Sequence, residues 1–530
     1  MRDTHYPGRS PAYSNKGMVS TSHPAATLSG IDILRKGGNA IDAAISAAAV
    51  LAVVEAHSTG LGGDLFCLYS PKGKQEIIAL NGSGKTPSNL NLDYFQNNGL
   101  SEIDIHGAHS VTIPCAVAAW VKLNKDYGNL NLKEVLADAI RYAEEGYVVA
   151  DVIADVWKRE SKKLAIDKDC AKVFLRKGQP YSIGDVHFQP QLAETLRNIS
   201  DNGREGFYNG EVAKDIVKKL NSMGGLHTLD DFSKADATYV KPIKTSYRGF
   251  NVFECPPNGQ GLTALIMLNI LSGYDLTKMD PLSPERFHLE AEASRLAFDV
   301  RDKYISDPDH TDIPLEYLLS DSYAEKLRER IDKDKVSFSK KKENDFPNHK
   351  DTVYLCVVDS ERNSVSLINS IFHAFGSGIL APKSGILLHN RGSSFSLNPA
   401  KANVVSGGKR PMHTIIPSML TKNFKTLMPF GVMGAHYQPV GQVHFLTNVL
   451  DYNMDIQEAL DFPRAFNFEG VLKCERSVPR ELCKHLRAKG HVVETTDLPH
   501  GGGQAIYIDH DKGVLIGGSD PRKDGIALGC

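Results

Sequence analysis

The chain has 530 residues, with 61 Lys plus Arg against 63 Asp plus Glu, and its net charge of −2 offers no field to gather nucleic acid or an anionic membrane surface. A hydrophobic share of 41% and a charged share of 23% describe an ordinary globular chain, and no stretch approaches the roughly 20 apolar residues of a membrane span. The length allows about three domains or one large layered unit.

The amino-terminal segment Met1 to Ser20 is polar and has no apolar signal-peptide centre, which predicts a cytoplasmic protein. Apolar residues at helical spacing predict a helix from Pro24 to Gly37, closed by Gly37-Gly38. Asn39 then caps an Ala-rich run, Ala40 to Glu55, whose small side chains on every face predict a helix buried between layers. The Gly-rich segment His57 to Gly63 has no Lys-Ser/Thr and runs from helix to strand, the wrong order for a phosphate cradle. It reads as a packing or site-lining loop. Leu65 to Tyr69 follows as a strand, with Glu76 to Leu80 as its hairpin partner.

Helical patterns recur at Leu132–Tyr147, Leu192–Arg197, Gly261–Leu271 and Phe287–Tyr304, so the first three hundred residues read as mainly helical. One more helix is predicted over Ser320–Asp334, and Val336 to Asp351 is a polar, charged linker. Texture changes at Thr352: TVYLCVVD and SVSLINSIF predict two antiparallel strands around the turn Ser360 to Asn363. Further strands are predicted over 379–380, 385–388, 414–420, 427–430, 503–508 and 513–517, with helices over 440–452 and 456–461. Helices first and sheets after them predict a layered sandwich of α+β class.

Eight cysteines are scattered singly, without a Cys-x-x-Cys pair, so neither a disulfide framework nor a metal site is expected. No cofactor is implied.

The junction Asp351-Thr352 carries the chemistry. A polar segment stops at a Thr that opens a buried strand, and cutting the bond before Thr352 would free an α-amine with a pKa of roughly 7.7 to 8.0. That amine can take the proton of its own hydroxyl near neutral pH, so one residue would hold nucleophile and base. No Gly-x-Ser-x-Gly elbow competes with it. On the local pattern alone, the reading of Thr352 as a β-favouring residue at a strand start is the stronger one.

The segments HKDTVYLCVVD, NSIFHAFGSGILAPKSGILLHNRGSSFS, GKRPMHTIIPSM, PFGVMGAHYQP and GGSDPRKDG, with GGNAIDAAISAAAVLAVVEAHSTGLGGDLF upstream, resemble the γ-glutamyltransferase family of N-terminal-nucleophile hydrolases. The resemblance runs from about Ser20 to the C-terminus. It implies a four-layer αββα sandwich made by a proenzyme that cuts itself between Asp351 and Thr352. The products would be a large subunit, 1–351, ending in the linker 336–351, and a small subunit, 352–530, that stay together.

By the same resemblance Thr352 is the nucleophile, Ser370 the hydroxyl that supports its amine, and Gly434 and Ala435 the backbone donors of an oxyanion hole. Fixed N–H donors suit that task, at roughly 3 to 4 kcal/mol each. Where typical members clamp the substrate α-carboxylate with an Arg, this chain has Ser83, leaving Lys85 as a point charge nearby. The Asn, Gln and Asp that hold a glutamyl ammonium in typical members align with Phe372, Arg391 and Ser394, and two consecutive Ser align with His413 and Thr414. No carboxylate is expected for an ammonium, and Arg391, His413 and Lys85 together predict an anionic acyl group. Arg391 as a structural ion pair and His413 as a core histidine are the alternatives. His373 and His436 are further cleft candidates that no spacing rule singles out.

Three functions are weighed, in this order of preference. The first is a γ-glutamyltransferase or glutathione hydrolase forming an ester on Thr352. The second is an amidohydrolase of a small dicarboxylic monoamide such as oxamate, a branch the motifs IFHAFGSG and NRGSSFS resemble. The third is an unprocessed, non-catalytic paralogue. The expected partners are a small-molecule amide and the two fragments of the precursor, with homo-oligomerisation open and no nucleic acid or membrane.

Overall fold

The computed structural model describes residues 8–337 and 352–530. The expected linker therefore lies outside the described residues apart from Val336 and Ser337, and so does Asp351. Val336 N–H donates to the Lys489 carbonyl and Ser337 N–H to the Glu292 side chain.

Two antiparallel sheets of seven strands form the centre. In the first, the strand order is 526–529, 18–21, 353–358, 364–370, 64–70, 78–82, 238–240. In the second it is 12–14, 514–519, 502–509, 425–433, 418–422, 250–254, 243–247. Phe66, Tyr354, Ile368, Met419, Met433 and Ile506 fill the space between the sheets. The outer face of the first sheet is covered by helices Pro24–Arg35, Ala40–Val54 and Ala116–Tyr127, and that of the second by Gly261–Leu271, Pro284–Tyr304 and Gln438–Leu450. The result is the expected αββα order of layers.

Layering explains the sequence texture. The strands Val353–Val358, Ser364–Ser370 and Asp64–Ser70 are buried at every position, because helices cover one face and the second sheet the other. All residues of Ala40–Val54 are buried, and this helix is started by a capping box in which Asn39 accepts from the Asp42 N–H and the Asp42 side chain accepts from the Asn39 N–H. Such a cap contributes about 1 kcal/mol.

The strands that follow Thr352 are inserted between strands that precede it. Val353–Val358 pairs with Met18–Thr21 on one side, and Ser364–Ser370 pairs with Asp64–Ser70 on the other. The segments before and after Thr352 thus share one sheet and one core.

The first three hundred residues are mainly helical, as expected, but one hairpin was not foreseen and two local expectations are corrected. Ile243–Tyr247 and Phe250–Glu254 form the hairpin at the edge of the second sheet, and its turn residues Arg248 and Gly249 have φ of 52° and 80°. Two consecutive positive φ values are the signature of a turn whose twist matches the strands. The helix predicted over 320–334 spans only Asp321–Arg328, because the Asp332 side chain accepts from the Asp334 N–H and closes a turn instead. The strand predicted over 414–420 begins at Ser418, since Pro417 has no N–H for a ladder and the residues before it serve the cleft.

Among the described residues no helix is long and apolar enough to cross a membrane. All eight cysteines are free thiols, and seven are buried.

Candidate active site

Strand register places the chemistry. Val353 pairs with Asn369, so Thr352 lies across from Ser370; Ser370 pairs with Asp64; and Leu65 pairs with Gly82, so Asp64 lies across from Ser83. Residues directly opposite one another in a sheet point to the same face. Thr352 precedes Tyr354 by two, Ser370 follows Ile368 by two, and Asp64 precedes Phe66 by two, and all three of those apolar residues face the space between the sheets. One row of polar side chains, Thr352, Ser370, Asp64 and Ser83, therefore enters the cleft at the same end. The Gly-rich segment makes this close: a Cβ on Gly63 would lie 2.3 Å from the Ser370 carbonyl oxygen.

The Thr352 hydroxyl is 3.1 Å from that of Ser370, and neither residue is exposed. Ser370 Oγ also accepts from Phe372 N–H at 2.9 Å and from Arg391 Nη2 at 3.4 Å. Arg391 is fully buried; its Nη1 donates to Thr414 Oγ1 at 3.0 Å, its Nε lies 3.5 Å from Asp64 Oδ2, and its guanidinium sits 4.0 Å over the Phe372 ring. A positive φ of 78° at Phe372, uncommon for a bulky residue, turns the chain there so that N–H and ring serve both neighbours.

Asp64 is the residue that sequence reasoning missed. Its Oδ1 accepts from Gly84 N–H at 3.0 Å, and its Oδ2 lies 3.0 Å from both His389 Nδ1 and His413 Nε2. A carboxylate thus enters this part of the cleft from the strand after Gly62-Gly63, and Gly84, His389, His413 and Arg391 surround it. The signal was a lone acid opening an otherwise apolar strand. His389, also missed, connects Asp64 to the Thr112 carbonyl at 2.8 Å.

Burial alone would raise the Asp64 pKa, but His389 and His413 outweigh it and hold the carboxyl well below the usual range. His413 is pushed down to about 3 by burial and then by Arg391, so it is neutral. Its Nδ1 accepts from Ile415 N–H, which puts the ring proton on Nε2, facing Asp64. Burial pushes the Arg391 guanidinium down to about 9, with Asp64 opposing, and the group stays cationic at neutral pH.

Gly434 and Ala435 follow the strand Lys425–Met433 with φ of 119° and 54°. Two consecutive positive φ values bend the chain sharply at the end of this strand, a conformation that Ala435, with its Cβ, rarely adopts. Their carbonyls are engaged elsewhere, Gly434 O by Tyr437 N–H and Ala435 O by Gln260 Nε2. Gln260 also donates to the Thr414 carbonyl at 2.7 Å. A continuous set of contacts thus runs from Thr352 through Ser370, Arg391, Thr414 and Gln260 to the Ala435 turn.

Not every expected residue joins this set. Lys85, 44% exposed, pairs with Asp309 at 3.6 Å and is corrected to a surface ion pair. The Ser394 hydroxyl donates to the Met412 carbonyl at 2.9 Å, which braces the loop before His413. Ser83 accepts from Asn258 Nδ2 through its hydroxyl and from Arg410 Nε through its carbonyl. His373 accepts from Asn390 Nδ2 through its ring, and His436 from Arg301.

A family model described as gamma-glutamyltranspeptidase matches residues 26–530. The glutathione hydrolase-like YwrD proenzyme of Bacillus subtilis (strain 168) is 38% identical over 525 residues, 97% of this chain and 98% of that protein. The oxamate amidohydrolase proenzyme of Klebsiella pneumoniae subsp. pneumoniae is 32% identical, over 97% of this chain and 99% of its own length. Among solved structures, cephalosporin acylase from Bacillus halodurans superposes with a TM-score of 0.92 at 38% identity, covering 100% of this chain and 99% of the other.

Proposed function

This chain belongs to the gamma-glutamyltranspeptidase family and is an enzyme of the N-terminal-nucleophile hydrolase type, and from that premise we propose that it is a self-processing amidohydrolase acting on small dicarboxylic monoamides through an ester on Thr352. Cleavage before Thr352 frees its α-amine. The hydroxyl then attacks the substrate carbonyl while the amine takes its proton, and the oxygen of the tetrahedral intermediate is received by the Gly434 and Ala435 N–H groups. The amine returns the proton to the departing nitrogen, and water hydrolyses the ester in a second, equivalent passage. The proenzyme names of the relatives support the cut.

The observation that carries the substrate class is the place of Arg391. Its guanidinium contacts Ser370, itself one hydrogen bond from Thr352, so a cation stands beside the carbonyl under attack. Two of its N–H groups, one on Nη1 and one on Nη2, remain after those that face Thr414, Ser370 and Asp64, enough for a carboxylate close to the scissile bond. An α-ammonium fares worse there. It would meet Arg391, and the carboxylate in reach, Asp64, is already engaged by Gly84, His389, His413 and Arg391.

Hydrolysis of a γ-glutamyl amide such as glutathione is the second reading, favoured by the name of the Bacillus subtilis relative. Ammonia release from oxamate, malonamate, succinamate and glutaramate, set against glutamate release from glutathione, separates the two. At least one monoamide should exceed glutathione at least about tenfold in kcat/KM, a difference of about 1.4 kcal/mol. The reverse order would replace the first reading by the second.

A further inference from the structure

The Ser370 hydroxyl has a fixed direction. Its oxygen accepts from Phe372 N–H at 2.9 Å and from Arg391 Nη2 at 3.4 Å, which uses both lone pairs. Its proton is left for Thr352 Oγ1, 3.1 Å away. Thr352 oxygen thus accepts, and its own proton, the one that self-cleavage must remove, points away from Ser370. That is the geometry self-cleavage needs. A bond forms from Thr352 Oγ to the carbonyl carbon of residue 351, the C–N bond breaks, and the hydroxyl proton ends on the freed amine. Water then splits the ester into a carboxyl group and the restored hydroxyl.

Arg391 keeps this direction only while it is held in place. Its side chain is long, its charge is buried, and the anion that meets it is Asp64. Asp64 is itself immobilised by Gly84, His389 and His413, and it neighbours Ser370 in the strand register. A carboxylate that neighbours the nucleophile's supporting hydroxyl in the sheet, yet bonds only to groups around it, orients the site from behind.

We propose that Asp64 is a positioning residue which, acting through Arg391 and Ser370, fixes the direction of the proton at Thr352 and so sets the rate of self-cleavage. The proposal rests on Thr352 being the nucleophile, and it adds a role to Arg391 beyond any contact with substrate.

The test follows the conversion of freshly translated full-length chain into two fragments, for the unaltered protein, Asp64→Asn, Arg391→Gln, the double variant and Asp64→Glu. Each single neutral variant should cut about 10- to 100-fold more slowly, and the double variant no more slowly than the slower single, since both act in one series. Asp64→Glu should restore most of the rate. A merely structural Asp64 would give losses that multiply in the double variant, or an Asp64→Asn chain that cuts at the unaltered rate; either result overturns the proposal. If Asp64→Asn does not fold, Arg391→Lys serves in its place, because it keeps the charge but lacks the fork, and an unaltered cutting rate there is equally contrary. Failure of the unaltered chain to cut at all would instead refute Thr352 as nucleophile, and with it both readings. A chain that cuts normally with Asp64→Asn would refute only the role of Asp64.

Discussion

Arg391 and Asp64 face each other at 3.5 Å with neither side chain exposed, one from each side of the bond before Thr352. A buried pair of this kind contributes little net stability, yet losing one partner typically costs about 3 to 5 kcal/mol because the other charge is stranded. The pair therefore ties the two segments at the cleft, in addition to the shared sheet, and makes the shape of the site depend on both.

Thr352→Ala should abolish both self-cleavage and turnover, because one hydroxyl serves the two steps. Denaturing electrophoresis reads the first, and ammonia release from a monoamide the second. Normal processing of this variant would move the nucleophile elsewhere.

Arg391→Ala, assayed in whatever fraction has been processed, should raise KM for a dicarboxylic monoamide by an amount worth about 1.5 to 3 kcal/mol, the range of a charged hydrogen bond. A neutral amide of the same length should lose far less. Equal losses on both would leave Arg391 to the nucleophile alone.

Lys85→Ala should leave kcat/KM within about twofold on either substrate class, since an exposed pair such as that with Asp309 is worth roughly 0 to 1 kcal/mol. A large rise in KM would return Lys85 to the pocket.

Stability should fall as the solution is acidified below pH 6.5. Burial lowers His187, His373 and His413 to about 3, and His23 and His227 to about 4, against 6.5 for exposed histidine. Between those values the unfolded chain binds protons that the folded chain excludes, so the stabilising contribution is complete above pH 6.5 and is lost on descent toward pH 4. Each group contributes about 1.4 kcal/mol per pH unit in that window. A Tm that is level from pH 7 to 8 and drops steadily below 6 is expected; a level Tm down to pH 4.5 would contradict it.

The layering was legible because several segments announce themselves chemically. Asn39 with Asp42 marks a helix start, the alanines after it mark burial on all sides, and the runs beginning at Thr352 and Ser364 are strands by composition. Thr352 and Ser370 were legible as a pair through the family's motifs, and the hairpin register explains why they meet. Asp64 was not, because its significance lies in three residues from a remote part of the chain, His389, Arg391 and His413, that only the folded sheets bring to it. Lys85 misled for the complementary reason: its position in the sequence is close to the cleft, but its side chain leaves it. The hairpin at Arg248-Gly249 escaped notice because it supplies an edge to a sheet whose other strands mostly come much later in sequence.

The amino-terminal residue of the smaller fragment in purified, active protein tests the account most directly. Thr352 at the head of that fragment is the result the account predicts. Full activity in a chain still continuous between residues 351 and 352, or a fragment beginning at any other residue, would contradict it.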